Sequence, residues 1–215
     1  MALLELDNIE FNYSDKELYK DVCLKLNQGE HCVLVGANGT GKTTLLNMIV
    51  GELSPDKGKV LWEGGTTFSY LDQQLKVAQD MPVHQYLYGV YEDLFEKEVQ
   101  MEKLYEQSAL DPDNFEKYLA KAERIQEELD AKGFYALQEK VGRLTDGLGF
   151  DKSHLEAPLM ELSSGQREKA YLAKMLLEEK DVLIMDEPTN FLDQGQVAWL
   201  AKYLTNYPKA FLVVS

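Results

Sequence analysis

The chain has 215 residues, enough for one well-formed core with an inserted subdomain, and a formal net charge of −15 at pH 7. This charge argues against binding of nucleic acid by general phosphate attraction, because that affinity comes from Lys and Arg. No apolar run reaches the length of a membrane span, and the first residues do not resemble a signal peptide, so the sequence predicts a cytoplasmic protein.

The cysteines and histidines do not predict a metal site. Cys23 and Cys32 lie in predicted strands and show no CxxC or Cys/His spacing, so we expect buried, reduced thiols. The histidines are isolated from one another along the chain, and each is expected to have a structural role. They are His31, His84 and His154.

A glycine-rich loop is the first element that carries chemistry. Residues 36–44 read Gly-Ala-Asn-Gly-Thr-Gly-Lys-Thr-Thr, which fits the phosphate-binding pattern Gly-x4-Gly-Lys-Ser/Thr. The loop follows an apolar run, His31 to Val35, that is suited to a buried strand, and it precedes a helix-forming run. Because strand, loop and helix come in the order that the motif requires, the sequence predicts a nucleotide hydrolase.

The residue types of this loop suit a polyphosphate. Its glycines leave room for backbone N–H groups to approach anionic oxygens. Lys42 can place its ammonium on the β- and γ-phosphates, and Thr43 can offer its hydroxyl to Mg²⁺. The predicted nucleotide contacts of the loop are Gly36, Asn38, Gly39, Thr40, Gly41, Lys42, Thr43 and Thr44.

A helical hairpin is predicted in the middle of the chain. Apolar residues recur at heptad spacing in two seams, and each seam has one lysine at a core position, Lys97 in the first and Lys132 in the second. Asp113 and Glu116 are spaced as a capping box that starts the second helix. Two antiparallel helices of about twenty residues would project roughly 30 Å. The seams are Leu87, Val90, Leu94, Met101 and Leu104, and Phe115, Tyr118, Ala122, Ile125 and Leu129.

An apolar strand is predicted from Asp181 to Glu187, and it ends in two carboxylates. Parallel strands deliver catalytic groups to a crevice at their carboxyl ends. Asp186 is therefore expected to hold Mg²⁺, directly or through water, and Glu187 to polarise the attacking water.

A further motif lies between the loop and the acidic strand. It reads Leu162-Ser163-Ser164-Gly165-Gln166, and the helical run Arg167 to Glu178 follows it. Together with the loop and the acidic strand, they resemble the ATP-binding cassette family, whose signature usually reads Leu-Ser-Gly-Gly-Gln; Ser164 departs from it. The resemblance covers essentially the whole chain. It implies a three-layer α/β phosphate-binding-loop ATPase with an early antiparallel β-region, Ala2 to Leu26, and an inserted helical arm. The expected parts are 1–81 and 160–215 for the ATPase core and 82–159 for the helical subdomain.

The resemblance implies two further residues in the same nucleotide site. Tyr13 would stack on the adenine; the alternative is a buried core tyrosine. Gln73 would contact Mg²⁺ and the lytic water, with Gln74 as the competing residue.

Other residues would serve a second cassette, supplied by the same polypeptide or by a homodimer. Ser163 and Gly165 would bind the γ-phosphate of ATP held by that cassette. Asp193, in Asn190-Phe191-Leu192-Asp193, would lie in the loop that crosses the interface. The chain stops before the position of the family's switch histidine, so we expect it to be part of a longer protein.

Two features favour the soluble F subfamily. Residues 186–193 resemble its Asp-Glu-Pro-Thr-Asn-x-Leu-Asp form, and the 89 positions from Gln73 to Leu162 leave room for its arm, which reaches the ribosome. The resemblance thus implies the first ATPase half of a two-cassette translation or antibiotic-protection factor that uses ATP and Mg²⁺. The alternatives are a slightly enlarged helical subdomain in place of an arm, the ATPase subunit of a membrane transporter, and a catalytically weak, nucleotide-gated scaffold.

Overall fold

A computed structural model describes residues 2–13, 16–71 and 81–215. The chain divides into two compact units, one made of Met1–Gln79 with Met160–Ser215 and the other of Asp80–Leu159. Of the described helices, none is long and apolar enough to cross a membrane.

The first unit contains an antiparallel sheet in the order β2-β1-β4. Strand β1 is Ala2–Tyr13, β2 is Lys16–Asn27 and β4 is Lys57–Trp62. Leu4 of β1 lies between Leu26 and Trp62 of its two neighbours, and its side chain is fully buried. The expected β-region from Ala2 to Leu26 is confirmed, and it gains β4 as a third strand.

The second sheet of this unit is parallel and has the order β3-β7-β6-β5. Every residue of β6 is buried, as expected for a central strand of a parallel sheet. Since parallel strands end at the same edge, the carboxyl ends of β3 and β6 face one crevice. The strands are β3 (His31–Leu34), β5 (Phe68–Leu71), β6 (Val182–Asp186) and β7 (Ala210–Val214), and the helices of the unit are α1 (Lys42–Val50), α7 (Ser164–Leu177) and α8 (Gln194–Thr205).

Strand β3 differs from the buried strand that its apolar sequence predicts. Among the described strands it pairs with β7 alone, so it lies at one side of the described sheet. Val33 is 57% exposed and Val35, just beyond the strand, is 76% exposed. Periodicity identified the strand but not its place in the sheet, because a short apolar run reads the same in both positions.

The second unit is helical. Helices α3 (Glu92–Leu110) and α4 (Phe115–Ala131) are joined by a short 3-10 turn, Pro112–Asn114, and pack against each other along a hairpin. Leu94, Leu129, Phe134 and Leu137 form a small core near one end of the pair. The remaining helices are α2 (Val83–Tyr88), α5 (Leu137–Gly147) and α6 (Lys152–Glu156).

Three details of the predicted hairpin need correction. The first seam is not one helix, because Leu87 belongs to α2 and Val90 to the 3-10 turn Gly89–Tyr91. Lys97 and Lys132 lie at the rim, where they form ion pairs with carboxylates of the other helix, and their side chains are 34% and 51% exposed. A lysine at a seam position can extend its ammonium to the edge of the helix pair.

The third detail is the start of α4. The predicted capping box of Asp113 and Glu116 is wrong: Asn114 is the N-cap residue, without a side-chain cap. Asn114 instead forms hydrogen bonds with Asp111, three positions before it. Its side-chain amide donates to Asp111 Oδ2 at 2.9 Å, and its backbone N–H donates to the Asp111 carbonyl at 3.2 Å. Proline at 112 starts a 3-10 turn and so shifts the helix start by one residue from the predicted position.

The predicted burial of the cysteines is also partly wrong. Both are free thiols in strands, but Cys23 is exposed and Cys32 is half-buried. The histidines make structural contacts. His31 stacks on Phe211 at 4.3 Å, and His84 Nδ1 lies 3.0 Å from the Leu155 carbonyl oxygen. His154 caps α6 together with Asp151.

Candidate nucleotide site

The glycine-rich loop connects β3 to α1 at the crevice edge of the parallel sheet. Gly39 has φ of 79° and Gly41 has φ of 100°, in the left-handed region that glycine tolerates best. A Cβ on Gly41 would lie only 2.9 Å from the hydroxyl oxygen of Tyr19 in β2. Position 41 therefore needs glycine for its backbone and for the space that Tyr19 takes. Within the loop, Thr40 Oγ1 donates to the Ala37 carbonyl at 2.9 Å.

Lys42, the first residue of α1, folds back over the loop. Its Nζ donates to the Gly36 carbonyl at 2.7 Å and lies 3.7 Å from Glu187 Oε1. The side chain is only 10% exposed. The ammonium thus lies between the loop and the carboxylate that ends the acidic segment.

Thr43 and Asp186 bring two oxygen atoms together. The Thr43 hydroxyl donates to Asp186 Oδ2 at 2.5 Å, which joins the start of α1 to the end of β6. Asp186 is 5% exposed. A hydroxyl beside a carboxylate is the oxygen donor set that a small divalent cation prefers. Among the described residues there is no cluster of three or more His, Cys, Asp or Glu side chains able to hold a metal.

Glu187 occupies an unusual backbone position. Its φ of 48° is left-handed, which costs a non-glycine residue free energy. Its N–H donates to the Val214 carbonyl at 2.9 Å, so β7 fixes this conformation. The side chain, 24% exposed, is directed toward the crevice beside Lys42.

A cleft of about 630 Å³ opens over these groups. Tyr13, at the end of β1, forms part of its wall and is 68% exposed, which excludes the alternative of a buried core tyrosine. Leu18 and Asn190 also line it; the sequence context of Leu18 did not single it out, and Asn190 was expected only as part of the loop that crosses the interface. The remaining lining residues are Asn38, Gly39, Gly41, Lys42, Thr43, Thr44 and Glu187.

The signature segment forms the start of α7. Ser163 is the N-cap residue, and it forms a capping box with Gln166. Ser164 is the first helical residue and is not among the described residues with positive φ, so the departure from glycine imposes no backbone strain. The helix begins three residues before the predicted start at Arg167, because the serine supplied a cap that periodicity does not reveal.

Arg167 holds the segment that leads into this helix. Its guanidinium donates to the Leu162 carbonyl at 2.9 Å and to the Met160 carbonyl at 3.2 Å. Phe191 Cβ lies 3.8 Å from where a Cβ of Gly165 would be, so the loop after Glu187 approaches the signature. No pattern in the sequence predicts this role for Arg167.

Asp193 starts α8. Its carboxylate accepts from the Gln196 N–H at 2.9 Å, and the two residues form a capping box. Of the described residues that line the cleft, none is Ser163, Gly165 or Asp193. Gln73 and Gln74 lie outside the described residues.

Comparison with known proteins identifies the family. The family model described as ABC transporter matches residues 19–190. The chain belongs to the ABC transporter ATP-binding family. It is an ATP-binding domain of a family of ATPases.

The relatives agree with this assignment. The chain is 38% identical, over its whole length, to an ABC transporter ATP-binding protein of Bacillus subtilis, YfmM, and covers 42% of it. It is 29% identical to ABC transporter F family member 2 of Arabidopsis thaliana, over 99% of this chain and 32% of that protein. It is 30% identical to the energy-dependent translational throttle protein EttA of Mycobacterium tuberculosis, over 94% of this chain and 36% of that protein. The chain therefore spans about a third to two fifths of these relatives.

Solved structures support the fold. The ATP-binding subunit of an ABC transporter superposes with a TM-score of 0.65 at 17% identity, over 99% of this chain and 79% of that one. The ABC ATPase fold with an antiparallel β-region, a parallel sheet and a helical insertion is thus the fold that the sequence predicts.

Proposed function

We propose that this chain is the first cassette of a two-cassette F-subfamily protein that acts on the ribosome as a translation or antibiotic-protection factor. The observation that carries the proposal is the match to an F family member and to a translational throttle protein over 99% and 94% of the chain. The helical hairpin of α3 and α4 also supports it, because the F subfamily inserts such an arm. In this proposal 1–81 and 160–215 form the ATPase core and 82–159 the helical subdomain, in a cytoplasmic protein.

The cleft is proposed to bind ATP. Tyr13 would stack on the base, while the loop from Gly36 to Thr44 would surround the phosphates with its N–H groups. Lys42 would move its ammonium from the Gly36 carbonyl to the β- and γ-phosphates. The contact between Lys42 and Glu187 supports this binding mode, because the proposed phosphate-binding cation then lies next to the proposed base.

Glu187 is proposed to accept the proton of the attacking water. Its backbone is held at the crevice by the Val214 carbonyl, and its carboxylate lies 3.7 Å from the Lys42 ammonium. Gln73 is proposed to orient the same water. Thr43 and Asp186 fit a bound Mg²⁺, which would neutralise charge on the phosphates.

A second cassette is proposed to complete the site. Ser163, Gly165 and the α7 N-terminus are absent from the described lining of this chain's own cleft, as expected if they serve the cleft of the partner. ATP would then hold the two cassettes together, and hydrolysis would release them. ATP hydrolysis would set how long the protein stays on the ribosome and would not power transport.

The test is sedimentation of the natural full-length protein in which Glu187→Gln and the equivalent change in the partner site prevent hydrolysis. We expect it to sediment with ribosomes only when ATP is present. The matched control adds Lys42→Ala, which removes the phosphate contact and should leave the protein at the top of the gradient. Recovery in the membrane pellet, with none on ribosomes, would favour the ATPase subunit of a transporter instead.

A further inference from the structure

The two halves of the hairpin differ in charge. We define the hairpin base as residues 92–100 and 125–135, and the hairpin tip as residues 101–124. The base has seven carboxylates and two basic residues, whereas the tip has six carboxylates and four basic residues. The basic residues of the tip are Lys103, Lys117, Lys121 and Arg124.

Both basic residues of the base are already engaged. Lys97 forms an ion pair with Glu128, and Lys132 Nζ lies 3.3 Å from Asp93 Oδ2. Within the described part of the chain, no ion pair is found for the other five carboxylates of the base. They are Glu92, Glu96, Glu98, Glu127 and Asp130. The base therefore presents uncompensated negative charge.

Aromatic and apolar groups are exposed in the same region. Phe95 is 36% exposed, Val99 46% and Tyr135, just after α4, 57%. The Phe95 and Tyr135 rings both pack edge-to-face on the buried Phe134, at 5.2 and 5.4 Å between centroids. Their exposed faces are thus held rigidly by the small core beneath them.

Glu98 lies three positions after Phe95 in α3, so the two side chains share one face of the helix. Desolvation, together with the charges of Asp130 and Glu98, raises the pKa of the Tyr135 hydroxyl above its ordinary value. The same two carboxylates are among those without an ion-pair partner in the described residues. A rigid aromatic face thus has two unneutralised carboxylates near it.

We propose that the hairpin base, with Phe95, Tyr135, Glu98 and Asp130 at its centre, is a docking surface for an arginine-bearing segment of another protein. A guanidinium group can stack on an aromatic face and at the same time donate hydrogen bonds to carboxylates. Nucleic acid does not fit, because its phosphates would meet five unneutralised carboxylates. A purely apolar partner would have to desolvate those carboxylates without pairing them.

The hairpin tip offers a matched control. Its carboxylates are as exposed as those of the base, but four basic residues lie among them. Leu110, in the tip, is 84% exposed and gives an apolar group away from the aromatic cluster. A surface that attracts cations only through net charge would respond equally to changes in either half.

The test measures fluorescence anisotropy of a labelled peptide of alternating Arg and Gly residues, titrated with the full chain at near-physiological salt. The same peptide with Lys in place of Arg and a labelled oligouridylate are run in parallel. The base variants are Tyr135→Ser and the double change Glu98→Gln with Asp130→Asn. The control variants are Leu110→Ser and Glu106→Gln with Asp113→Asn, which change the same number of charges in the tip. Thermal melting confirms that each variant folds.

We expect the Arg peptide to bind more tightly than the Lys peptide, and each base variant to weaken it by about tenfold, while the tip variants change it less than about twofold. Equal losses from base and tip variants would overturn the proposal in favour of general charge attraction. Absence of Arg-peptide binding, or tighter binding of the oligouridylate, would also overturn it. The test uses neither ATP nor ribosomes, so its outcome is independent of the proposed ribosomal role.

Discussion

The hydroxyl of Thr43 donates to the carboxylate of Asp186 over 2.5 Å, across 143 positions of sequence. This contact links the helix that follows the phosphate-binding loop to the strand that ends in the acidic pair. It places one neutral and one charged oxygen side by side at the crevice. The arrangement makes the two residues testable as a unit.

Two substitutions at Thr43 distinguish the contribution of its hydroxyl group from that of its size. Thr43→Ala should lower kcat about tenfold or more and raise the Mg²⁺ concentration needed for half-maximal ATP hydrolysis, because a cation ligand is lost. Thr43→Ser keeps the hydroxyl and should retain most of the activity. The measurement is the hydrolysis rate against Mg²⁺ concentration. The same Mg²⁺ dependence in both variants would remove Thr43 from the proposed cation site.

Glu187→Gln keeps the size of the side chain but removes the basic carboxylate. In the two-cassette protein with the partner site silenced, we expect kcat to fall by about a hundredfold to ten-thousandfold, with ATP binding retained. Single-turnover hydrolysis and equilibrium binding of labelled ATP measure the two effects separately. Unchanged turnover would assign the proton transfer to another group.

The left-handed backbone of Glu187 makes a separate prediction about stability. Glu187→Gly should be more stable than Glu187→Ala by about 1 kcal/mol, because only glycine adopts φ of 48° without strain. Glu178, with φ of −64° at the end of α7, is the control: there the Ala variant should be the more stable. Urea unfolding of the four variants measures these differences in stability. If the Ala variant were the more stable one at both positions, no strain would be relieved at Glu187.

Ser163 combines a helix cap with a proposed contact to ATP on the second cassette. Ser163→Ala should cost about 1 kcal/mol of stability through loss of the cap. Ser163→Asp keeps a capping carboxylate, so it should fold as stably as the wild type. Its charge should nevertheless block ATP-dependent association of the cassettes, since it would meet the γ-phosphate. Analytical ultracentrifugation with ATP gives the readout; normal association of the Asp variant would contradict the proposed role.

The lowered pKa of Asp181 predicts that the free energy of unfolding depends on pH. Hydrogen bonds from the Thr67 N–H and hydroxyl, and the nearby Lys209 ammonium, hold its pKa below the ordinary value of 3.8. A depressed folded pKa gives stabilisation that is present above pH 3.8 and lost as the pH falls through the folded pKa. Because the Asp181 side chain is 41% exposed and solvent screens its charge, Asp181→Asn should cost no more than about 1 kcal/mol near pH 7, and this difference should shrink below pH 3.8. Urea midpoints at several pH values measure it; a constant difference would mean that the charge contributes nothing.

The sequence predicted the main parts of the fold because they follow from local patterns. The run before Gly36 and the run before Asp186 are apolar and short, and the turn chemistry after each is distinctive, so strands and loops could be placed to within a residue or two. The roles proposed for the site residues stay predictions, since geometry brings Lys42, Thr43, Asp186 and Glu187 together without testing what they do.

Other features depend on contacts that a linear pattern does not contain. The predicted capping box of α4 is wrong because the 3-10 turn that Pro112 begins includes Asp113 and makes Asn114 the N-cap residue. The heptad repeat does not predict the break between α2 and α3, because the repeat continues through Gly89. Tyr19 gave no signal in the sequence, yet its hydroxyl occupies the space beside Gly41. The contact between Tyr19 and position 41 can be recognised only when the position of β2 relative to the loop is known.

The wall formed by Tyr13 and Leu18 bears on substrate choice. A phenol ring and an aliphatic side chain recognise the flat surface of a heterocycle, and neither reads the pattern of donors and acceptors along its edge. Most polar residues of the cleft belong to the phosphate-binding loop, and the others are Glu187, Asn190 and the hydroxyl-bearing Tyr13. In the proposed binding mode, the number of phosphates would therefore govern affinity far more than the difference between adenine and guanine, and GTP would compete with ATP for this cleft.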